Sequence, residues 1–254
     1  IRLKDALQAI GYLGDRLVEL DVAGYVEIHV EQSDGLESQG LDIGVVRETW
    51  AALKQRIRFD GEQNHTGPTP MAARKDALLA AAHAITTVRA EADVHGLQFH
   101  SSVGRLEIYP NSPNVVPSRV TLHVEYRSPD TALLAVAGYR LDASLKAVAA
   151  STATTYEVES RALRAPIALH HGFAELAYGV GQQLGLAVGN TVTVSGHDAI
   201  SLGRHYPACL LFIPSSNGVS HNEAELTHDR DMRTGLQMLT ALLHCACTSP
   251  NAYR

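Results

Sequence analysis

Short stretches in which apolar and polar residues alternate predict several β-strands along the chain. The clearest is residues 25–30, whose apolar residues share one face while Glu27 and His29 share the other, a face that Glu31 extends. A strand that carries histidine and acidic residues away from its apolar face either borders solvent or lines a polar cleft. Both placements are compatible with the pattern itself.

The middle of the chain has a self-contained order of predicted elements, which we assign to residues 50–163. Its predicted strands and helices cover residues 53–59, 70–91 (helix), 102–109, 119–127, 131–149 (helix) and 154–160. The order β-α-β-β-α-β is that of a ferredoxin-like domain, in which two helices pack on one face of a four-stranded antiparallel sheet.

The residues on either side of this module follow a different pattern, in which helices and strands alternate. Helices are predicted over residues 3–10, 172–184 and 230–247, and strands over 25–30, 41–46, 191–194 and 208–213. This pattern is typical of α/β proteins. We therefore predict an α/β domain formed by residues 1–49 and 164–254, interrupted by the ferredoxin-like module.

Helical periodicity predicts the buried face of two of these helices. The predicted core residues are Leu78, Ala82 and Ile85 in the first helix of the module and Leu236, Leu239 and Leu243 in the last helix of the chain. Each set recurs at three- and four-residue intervals, as expected for a helix that packs against a core.

Composition and charge narrow the classes of protein to which the chain can belong. Hydrophobic residues make up 45% and charged residues 19% of the 254 residues, which allows a sizeable core and excludes disorder. The formal net charge of −6 argues against a nucleic-acid-binding surface. No apolar run approaches the roughly 18 residues that a membrane-spanning helix needs. Three cysteines suit a reducing compartment, so we expect a cytoplasmic location.

The first residues of the chain already follow a helical pattern, without an initiator methionine or the features of a signal peptide. We therefore expect the chain to be the carboxy-terminal portion of a longer protein.

Histidine supplies the candidate chemistry. Four segments place a histidine and other polar residues at predicted strand ends or in turns: 29–32, 64–67, 195–198 and 220–223. Catalytic and binding groups collect in such places, at the carboxyl ends of strands and on the loops that follow them. The chain has no GxSxG, HExxH, P-loop or GxGxxG motif. These observations indicate a hydrolytic or metal-dependent site but do not choose between the two.

Longer motifs add a family resemblance. In chain order they are YVEIHVEQ, NHTGPTPMAARKDAL, VGRLEIYPNSPNVVP, EYRSPD, SGHDA and SHNEAE. Together they resemble the dinuclear-metal amidohydrolases, a family within the aminoacylase/peptidase M20 clan that includes N-carbamoyl-L-amino-acid hydrolases, β-ureidopropionase and allantoate amidohydrolase. The motifs occur in the family's order and cover nearly the whole chain.

The resemblance implies metal-binding and catalytic roles for four histidines. His29 and His221 match metal ligands, and imidazole is a common ligand of divalent ions. His65 matches the histidine that the lid of a dimer partner supplies to the neighbouring active site, where it stabilises the oxyanion. His197 matches a histidine beside the reacting amide. The family binds two divalent ions per subunit, and imidazole and carboxylate ligands suit Zn, Mn, Ni or Co.

The resemblance also implies three substrate-binding residues. Arg127 matches the arginine that binds the substrate carboxylate with both arms of its guanidinium. Asn114 matches a residue that binds the substrate or the oxyanion, and Gln32 is a weaker candidate for the carbamoyl end. From the residues alone, a surface cation is an equally good interpretation of Arg127.

The chain departs from the family pattern in what it lacks. The family's first metal-binding histidine, its bridging aspartate and the acidic pair that supplies a ligand and the general base have no counterpart in these residues. Because the reaction needs a metal-activated water and a carboxylate that moves its proton, we expect this chain by itself to be inactive.

The sequence therefore predicts the lid and carboxy-terminal catalytic portion of a metal-dependent hydrolase of linear amide or carbamoyl C–N bonds. The expected substrate is a small ureido or amide compound with a carboxylate, most simply an N-carbamoyl amino acid that yields amino acid, CO2 and ammonia. The expected assembly is a homodimer through residues 50–163, with neither nucleic acid nor membrane as partner. Three alternatives stay open: an allantoate or ureidoglycolate amidohydrolase, an aminoacylase or dipeptidase of the same clan, and a non-catalytic dimerising relative.

Overall fold

The computed structural model of the protein describes residues 2–15 and 21–249, together with 251 and 253. The helices are α1 (Leu3–Ala9), α2 (Gly35–Gln39), α3 (Ala77–His95), α4 (Thr131–Ser151), α5 (His171–Gln183), α6 (Asp198–Leu202) and α7 (Asp229–Thr248). The strands are β1 (Tyr25–Val30), β2 (Ile43–Thr49), β3 (Ala51–Asp60), β4 (Asn64–His65), β5 (His100–Tyr109), β6 (Val115–Val116), β7 (Arg119–Ser128), β8 (Thr155–Arg164), β9 (Val188–Thr193) and β10 (Ala208–Ile213).

The first sheet has the strand order β1-β10-β2-β9 and is covered on both faces. β1 runs parallel to β10 and β2 parallel to β9, whereas β10 and β2 are antiparallel. Helices α5 and α7 pack on one face, where the apolar residues of β1 also point. Leu36 of α2 and Ala199 of α6 belong to a smaller cluster that covers the other face. Because both faces are covered, every residue of β10 is buried.

The second sheet is antiparallel throughout, with the order β5-β7-β3-β8, and helices α3 and α4 form one core with it. The chain enters this module from β2 through Trp50 alone and leaves it at the end of β8. Both helices begin at an aspartate: the carboxylate of Asp76 accepts hydrogen bonds from the first backbone amides of α3, and Asp130 does the same for α4.

Helix α3 begins later than predicted. The sequence predicted a start at residue 70, but Met71–Ala73 form a separate 3-10 turn and the helix starts at Ala77. Asp76 accounts for the difference, because its side chain caps the first amides of the helix.

The predicted buried faces of α3 and α7 were wrong in part. Ala82 is exposed, and α3 instead buries a row of alanines together with Val88, while Leu78 and Ile85 are only partly buried.

On α7, Leu236 is 65% and Leu243 42% exposed, and the buried residues are Asp231, Gly235, Met238, Leu242 and Ala246. A Cβ on Gly235 would lie 2.7 Å from Cγ2 of Ile213, so the helix meets the sheet through its smallest residue. Small residues allow this close approach, which a count of leucines along the helix does not reveal.

The α/β class predicted from the sequence is confirmed, and β1 and β10 occupy the predicted residues. The other strands differ from prediction at their ends; β9, for example, covers Val188–Thr193. Within the described residues, no helix is both long and apolar enough to cross a membrane.

Candidate functional site

A polar cleft of about 550 Å³ lies beside β1, at the turn that leads from β9 into α6. Its walls come from β1, from the end of β8 and from the segment that contains α6. The lining residues are Glu27, His29, Arg164, Gly196, His197, Asp198, Ile200, Ser201 and Arg204. The polar face of β1 that the sequence placed in solvent or in a cleft thus faces a cleft.

His29 and His197 are neighbours in this cleft. Their ring centroids are 4.7 Å apart and the rings are nearly perpendicular, at 75°. Nδ1 of His29 lies 2.8 Å from the carbonyl oxygen of Val30. Because a carbonyl can only accept, Nδ1 carries the proton and donates, which leaves Nε2 of His29 free to accept a hydrogen bond or bind a cation.

His197 is buried and held by two hydroxyl groups. Its Nε2 lies 3.0 Å from Oγ of Ser195 and 3.1 Å from Oγ1 of Thr193. Burial, the neighbouring His29 and the cation of Arg164 lower the pKa of His197 to about 4. The imidazole is therefore neutral at physiological pH.

Glu27 links the polar face of β1 to α6. Its Oε2 accepts a hydrogen bond of 2.6 Å from the backbone amide of Ala199, and its Oε1 lies 3.6 Å from Nδ1 of His197. The second distance is too long for a hydrogen bond, so Glu27 acts on His197 by holding the first turn of α6, which follows His197 directly.

The junction between the two sheets also helps to position His197. The backbone amide of Trp50 donates to the carbonyl of Thr193 at 2.9 Å, directly where β2 passes into β3. The side chain of Thr193 is buried and contacts His197. The orientation of the imidazole therefore depends on the point at which the chain enters the second sheet.

Arg127 reaches from the second sheet towards the same turn. Its Nη1 donates to the carbonyl of Val194, and its Nη2 donates to Oε2 of Glu125 at 3.0 Å. Burial alone would raise the pKa of Glu125, but the hydrogen bond and charge of Arg127, with help from Lys54, lower it. Arg127 borders the cleft region through Val194 but does not line the cleft.

Arg164 and Arg204 line the cleft, and the sequence had not singled out either residue. Among the described residues, the buried Nε of Arg164 has no hydrogen-bond partner. Burial lowers the pKa of Arg164, and the nearby cations Arg127 and Arg204 lower it further, while Glu125 opposes them. Neither arginine belongs to a motif, so no local signal distinguished it from a surface cation. Glu27 had a signal, because it alternates with His29 on β1.

His65 and Asn114 lie together on the module, away from the cleft lining. β4 pairs with β6, and the amide of Thr66 donates to the carbonyl of Asn114 at 3.1 Å. Nδ1 of His65 accepts a hydrogen bond from the amide of Gly67 at 3.0 Å, so a neutral His65 carries its proton on Nε2. His65 is exposed. Its Nε2–H is thus available as a donor.

Gln32 and His221 follow β1 and β10 but also lie outside the cleft lining. Both have left-handed backbone conformations, with φ of 64° and 55°. The amide of Gln32 donates to the buried Oγ of Ser215, and the amide of the exposed His221 donates to Glu225. The sequence placed both residues at strand ends, and the backbone hydrogen bonds fix the two turns.

The donor atoms of the described residues do not form a metal site by themselves. In residues 2–15, 21–249, 251 and 253, no group of three or more His, Cys, Asp or Glu side chains is placed to hold an ion. His29 has a suitable free nitrogen, but His221 does not line the cleft with it. A stable divalent site needs further ligands.

Comparison with known proteins places the chain in a family. The model of peptidase family M20/M25/M40 matches residues 6–244. The chain belongs to this family. It is 32% identical over 222 residues to an N-carbamoyl-L-amino-acid amidohydrolase of Rhizobium meliloti, covering 87% of this chain and 53% of that protein. It is 30% identical over 224 residues to the allantoate amidohydrolase of Bacillus subtilis, covering 88% and 54%.

The fold is also that of solved amidases. A crystal structure of an amidase of the hydantoinase/carbamoylase family from Burkholderia vietnamiensis superposes with a TM-score of 0.89 at 33% identity, covering 96% of this chain and 59% of that one. The chain thus spans somewhat more than half the length of the relatives that it matches.

Proposed function

We propose that the complete protein hydrolyses a linear amide or carbamoyl C–N bond in a small substrate that carries a carboxylate. The observation that carries this proposal is the cleft in which His29, His197 and Arg164 meet, in a chain whose relatives include amidohydrolases of N-carbamoyl amino acids and of allantoate. An N-carbamoyl amino acid is the simplest such substrate. Allantoate is the second candidate, and the similarity to an allantoate amidohydrolase favours it.

In this proposal the residues of the cleft bind and orient the reacting group. The neutral imidazole of His197 stands beside the amide and exchanges hydrogen bonds without bringing a charge of its own. Glu27 holds α6, and with it the turn that carries His197. Arg127 binds the substrate carboxylate, and Gln32 contacts the carbamoyl end.

We propose that residues 50–163 form a ferredoxin-like lid through which two subunits dimerise. The β-α-β-β-α-β order, the strand order β5-β7-β3-β8 and the separate core with α3 and α4 support a distinct module. His65, with its exposed Nε2–H, would donate a hydrogen bond to the oxyanion in the partner's site, and Asn114 beside it would add a second.

The complete protein is proposed to hold two divalent ions, of Zn, Mn, Ni or Co, with His29 and His221 among the ligands. The free Nε2 of His29 supports this assignment. The remaining ligands must come from outside the described residues, because these contain no sufficient donor group.

Product release by the complete protein tests the function. The substrates are an N-carbamoyl amino acid, allantoate and an N-acetyl amino acid, each with divalent ions added; ammonia is measured for the first two, and acetate and free amino acid for the acetyl compound. Ammonia from the first supports the carbamoyl hydrolase, ammonia from allantoate alone supports the second candidate, and cleavage of the acetyl compound alone indicates an aminoacylase. The variant His29→Ala should be inactive. No turnover of any of the three by the folded wild type would contradict the proposal and favour a non-catalytic relative.

A further inference from the structure

We propose that Arg164 forms an anion-binding subsite in the cleft that accepts the carboxylate of a ligand. The ligand class rests on the proposed function, but the subsite itself is argued from unsatisfied hydrogen-bonding capacity, position and charge.

The first observation is that the guanidinium of Arg164 is not saturated. Its Nε is buried and has no partner among the described residues. Other arginines of the same sheet are paired: Arg58 donates to Asp60 and Glu159, and Arg161 donates to Asp142. The terminal nitrogens of Arg164 also have no hydrogen-bond or ion-pair partner among the described residues, and unlike Nε they are not buried. An oxygen atom of a ligand can therefore accept from these terminal N–H groups.

The second observation is that Arg164 faces open space. It is the last residue of β8 and lines the cleft beside His29 and His197. A Cβ built on Gly196 would lie 3.7 Å from Nη1 of Arg164, so the end of the guanidinium lies beside the turn that carries His197.

The third observation is the local charge. Arg204 lines the same cleft, and Arg127 is close enough to lower the pKa of Arg164. Glu27 and Asp198 also line the cleft and offset part of this positive charge, but no hydrogen bond or ion pair joins either carboxylate to Arg164 among the described residues. The Arg164 side of the cleft therefore attracts an anion although the lining as a whole is mixed in charge.

These features suit a carboxylate, which is the anion that the proposed substrate carries. A guanidinium presents two parallel N–H groups that match the two oxygen atoms of a carboxylate, whereas lysine presents a point charge. In this conformation both terminal nitrogens of Arg127 donate to groups of the protein itself. The terminal nitrogens of Arg164 are not used in this way, so Arg164 adds a contact to the substrate carboxylate that Arg127 does not supply.

Direct binding to the chain as it stands tests the subsite without turnover. The probes are N-carbamoylglycine and its carboxamide, whose affinities are compared by calorimetry or ligand-observed NMR. We expect the wild type to bind the acid about 10-fold or more tightly than the amide, as a charge-assisted hydrogen bond allows. Arg164→Gln should lose most of this preference, because only the contribution of Arg127 remains, and Arg164→Lys should keep a larger part of it than Arg164→Gln.

The matched control is Arg105→Gln, which removes the same charge. Arg105 lies on β5 with 68% of its side chain exposed, and it does not line the cleft. The control should keep the full preference for the acid. The subsite is disproved if the wild type has no such preference, if Arg164→Gln retains it, or if Arg105→Gln loses it equally.

A measurement on the wild type covers the case in which Arg164→Gln does not fold. Phenylglyoxal modifies arginines, and peptide mapping reads each position separately. N-carbamoylglycine should slow the modification of Arg164 several-fold while leaving Arg105 unchanged, and its carboxamide should protect neither. Equal rates at Arg164 with and without the acid would overturn the proposal. Because neither readout needs hydrolysis, a complete protein that releases no ammonia would refute the proposed function and leave this result standing.

Discussion

Acidification should destabilise the folded protein through His197, and this prediction depends on the tertiary environment of a single side chain. His197 is 8% exposed, and burial, His29 and Arg164 lower its pKa from the ordinary 6.5 to about 4. Between these two values the unfolded chain binds a proton that the folded protein does not bind. Stability from this group is therefore complete above pH 6.5, falls as the pH is lowered below that value, and levels off below about pH 4.

The magnitude follows from the two pKa values. Each tenfold difference in proton affinity corresponds to about 1.4 kcal/mol, so the full effect is about 3 kcal/mol. At pH 5 the unfolded histidine is almost fully protonated while the folded one is mostly neutral, and the expected loss there is about 2 kcal/mol. That is a large part of the total stability of a typical domain.

The assay is denaturant unfolding at pH 7.5 and at pH 5 for the wild type and for His197→Gln. Other titrating groups are common to both proteins, so their contributions cancel in the difference between the two. We expect the stability advantage of the wild type to shrink by about 2 kcal/mol between pH 7.5 and pH 5.

His83→Gln is the matched control for this experiment. It removes a histidine that is exposed on α3, and it should leave the pH dependence of the wild type unchanged. If the difference between wild type and His197→Gln is the same at both pH values, His197 is not held neutral by its surroundings and the argument fails.

Three further predictions concern the proposed site. In the complete protein, Arg127→Lys should lower kcat/KM by roughly 30- to several-thousand-fold on a substrate with a carboxylate. When that carboxylate is replaced by an amide, the wild type should lose activity while the variant should lose little more. If both enzymes discriminate equally between acid and amide, Arg127 does not bind the carboxylate. When complete protein with His65→Ala is mixed with complete protein with His29→Ala, the heterodimers should recover partial activity. If well-mixed heterodimers show no recovered activity, His65 does not act in the site of the neighbouring subunit. This chain, dialysed against equimolar Zn²⁺, should retain little metal, because the donors of its described part do not form a complete site. Two tightly held ions per chain would show that other residues substitute.

Local sequence was a sound guide wherever the structure depends on neighbours along the chain. The alternation in β1 predicted which side chains face the core and which point away from it, because successive residues of a strand point to opposite sides. It left open whether the second set borders solvent or a cleft. The same reasoning predicted α/β elements around a module with a different order, and it placed β10 on its observed residues. The motifs identified His29 and His197 as candidate site residues, and in the folded chain their rings lie in contact.

Local sequence did not correctly predict which faces of the helices are buried. Periodicity indicates that α7 has an apolar side, but two of the three predicted leucines are exposed. The face of α7 that meets the sheet contains Gly235, whose missing side chain leaves room for the side chains of Ile213 and Ile28. Those two residues belong to other elements, so the sequence of α7 alone does not show the contact. Which face of a helix is buried therefore depends on the element against which the helix packs.

The sequence by itself determined the longer helices and strands, the family and the positions of the histidines along the chain, since each of these depends on neighbouring residues. It did not predict the short elements α2, β4 and β6. Only the tertiary structure decided the composition of the cleft. β1 and the turn after β9 lie far apart in the chain, and they meet because β1 lies beside β10 and α6 packs against both strands. Arg164 has the local appearance of any strand-end cation, and only the fold buries its Nε and brings its Nη1 beside Gly196. Solvation and proximity are properties of the folded chain, so the sequence did not reveal that this arginine keeps donors without a partner.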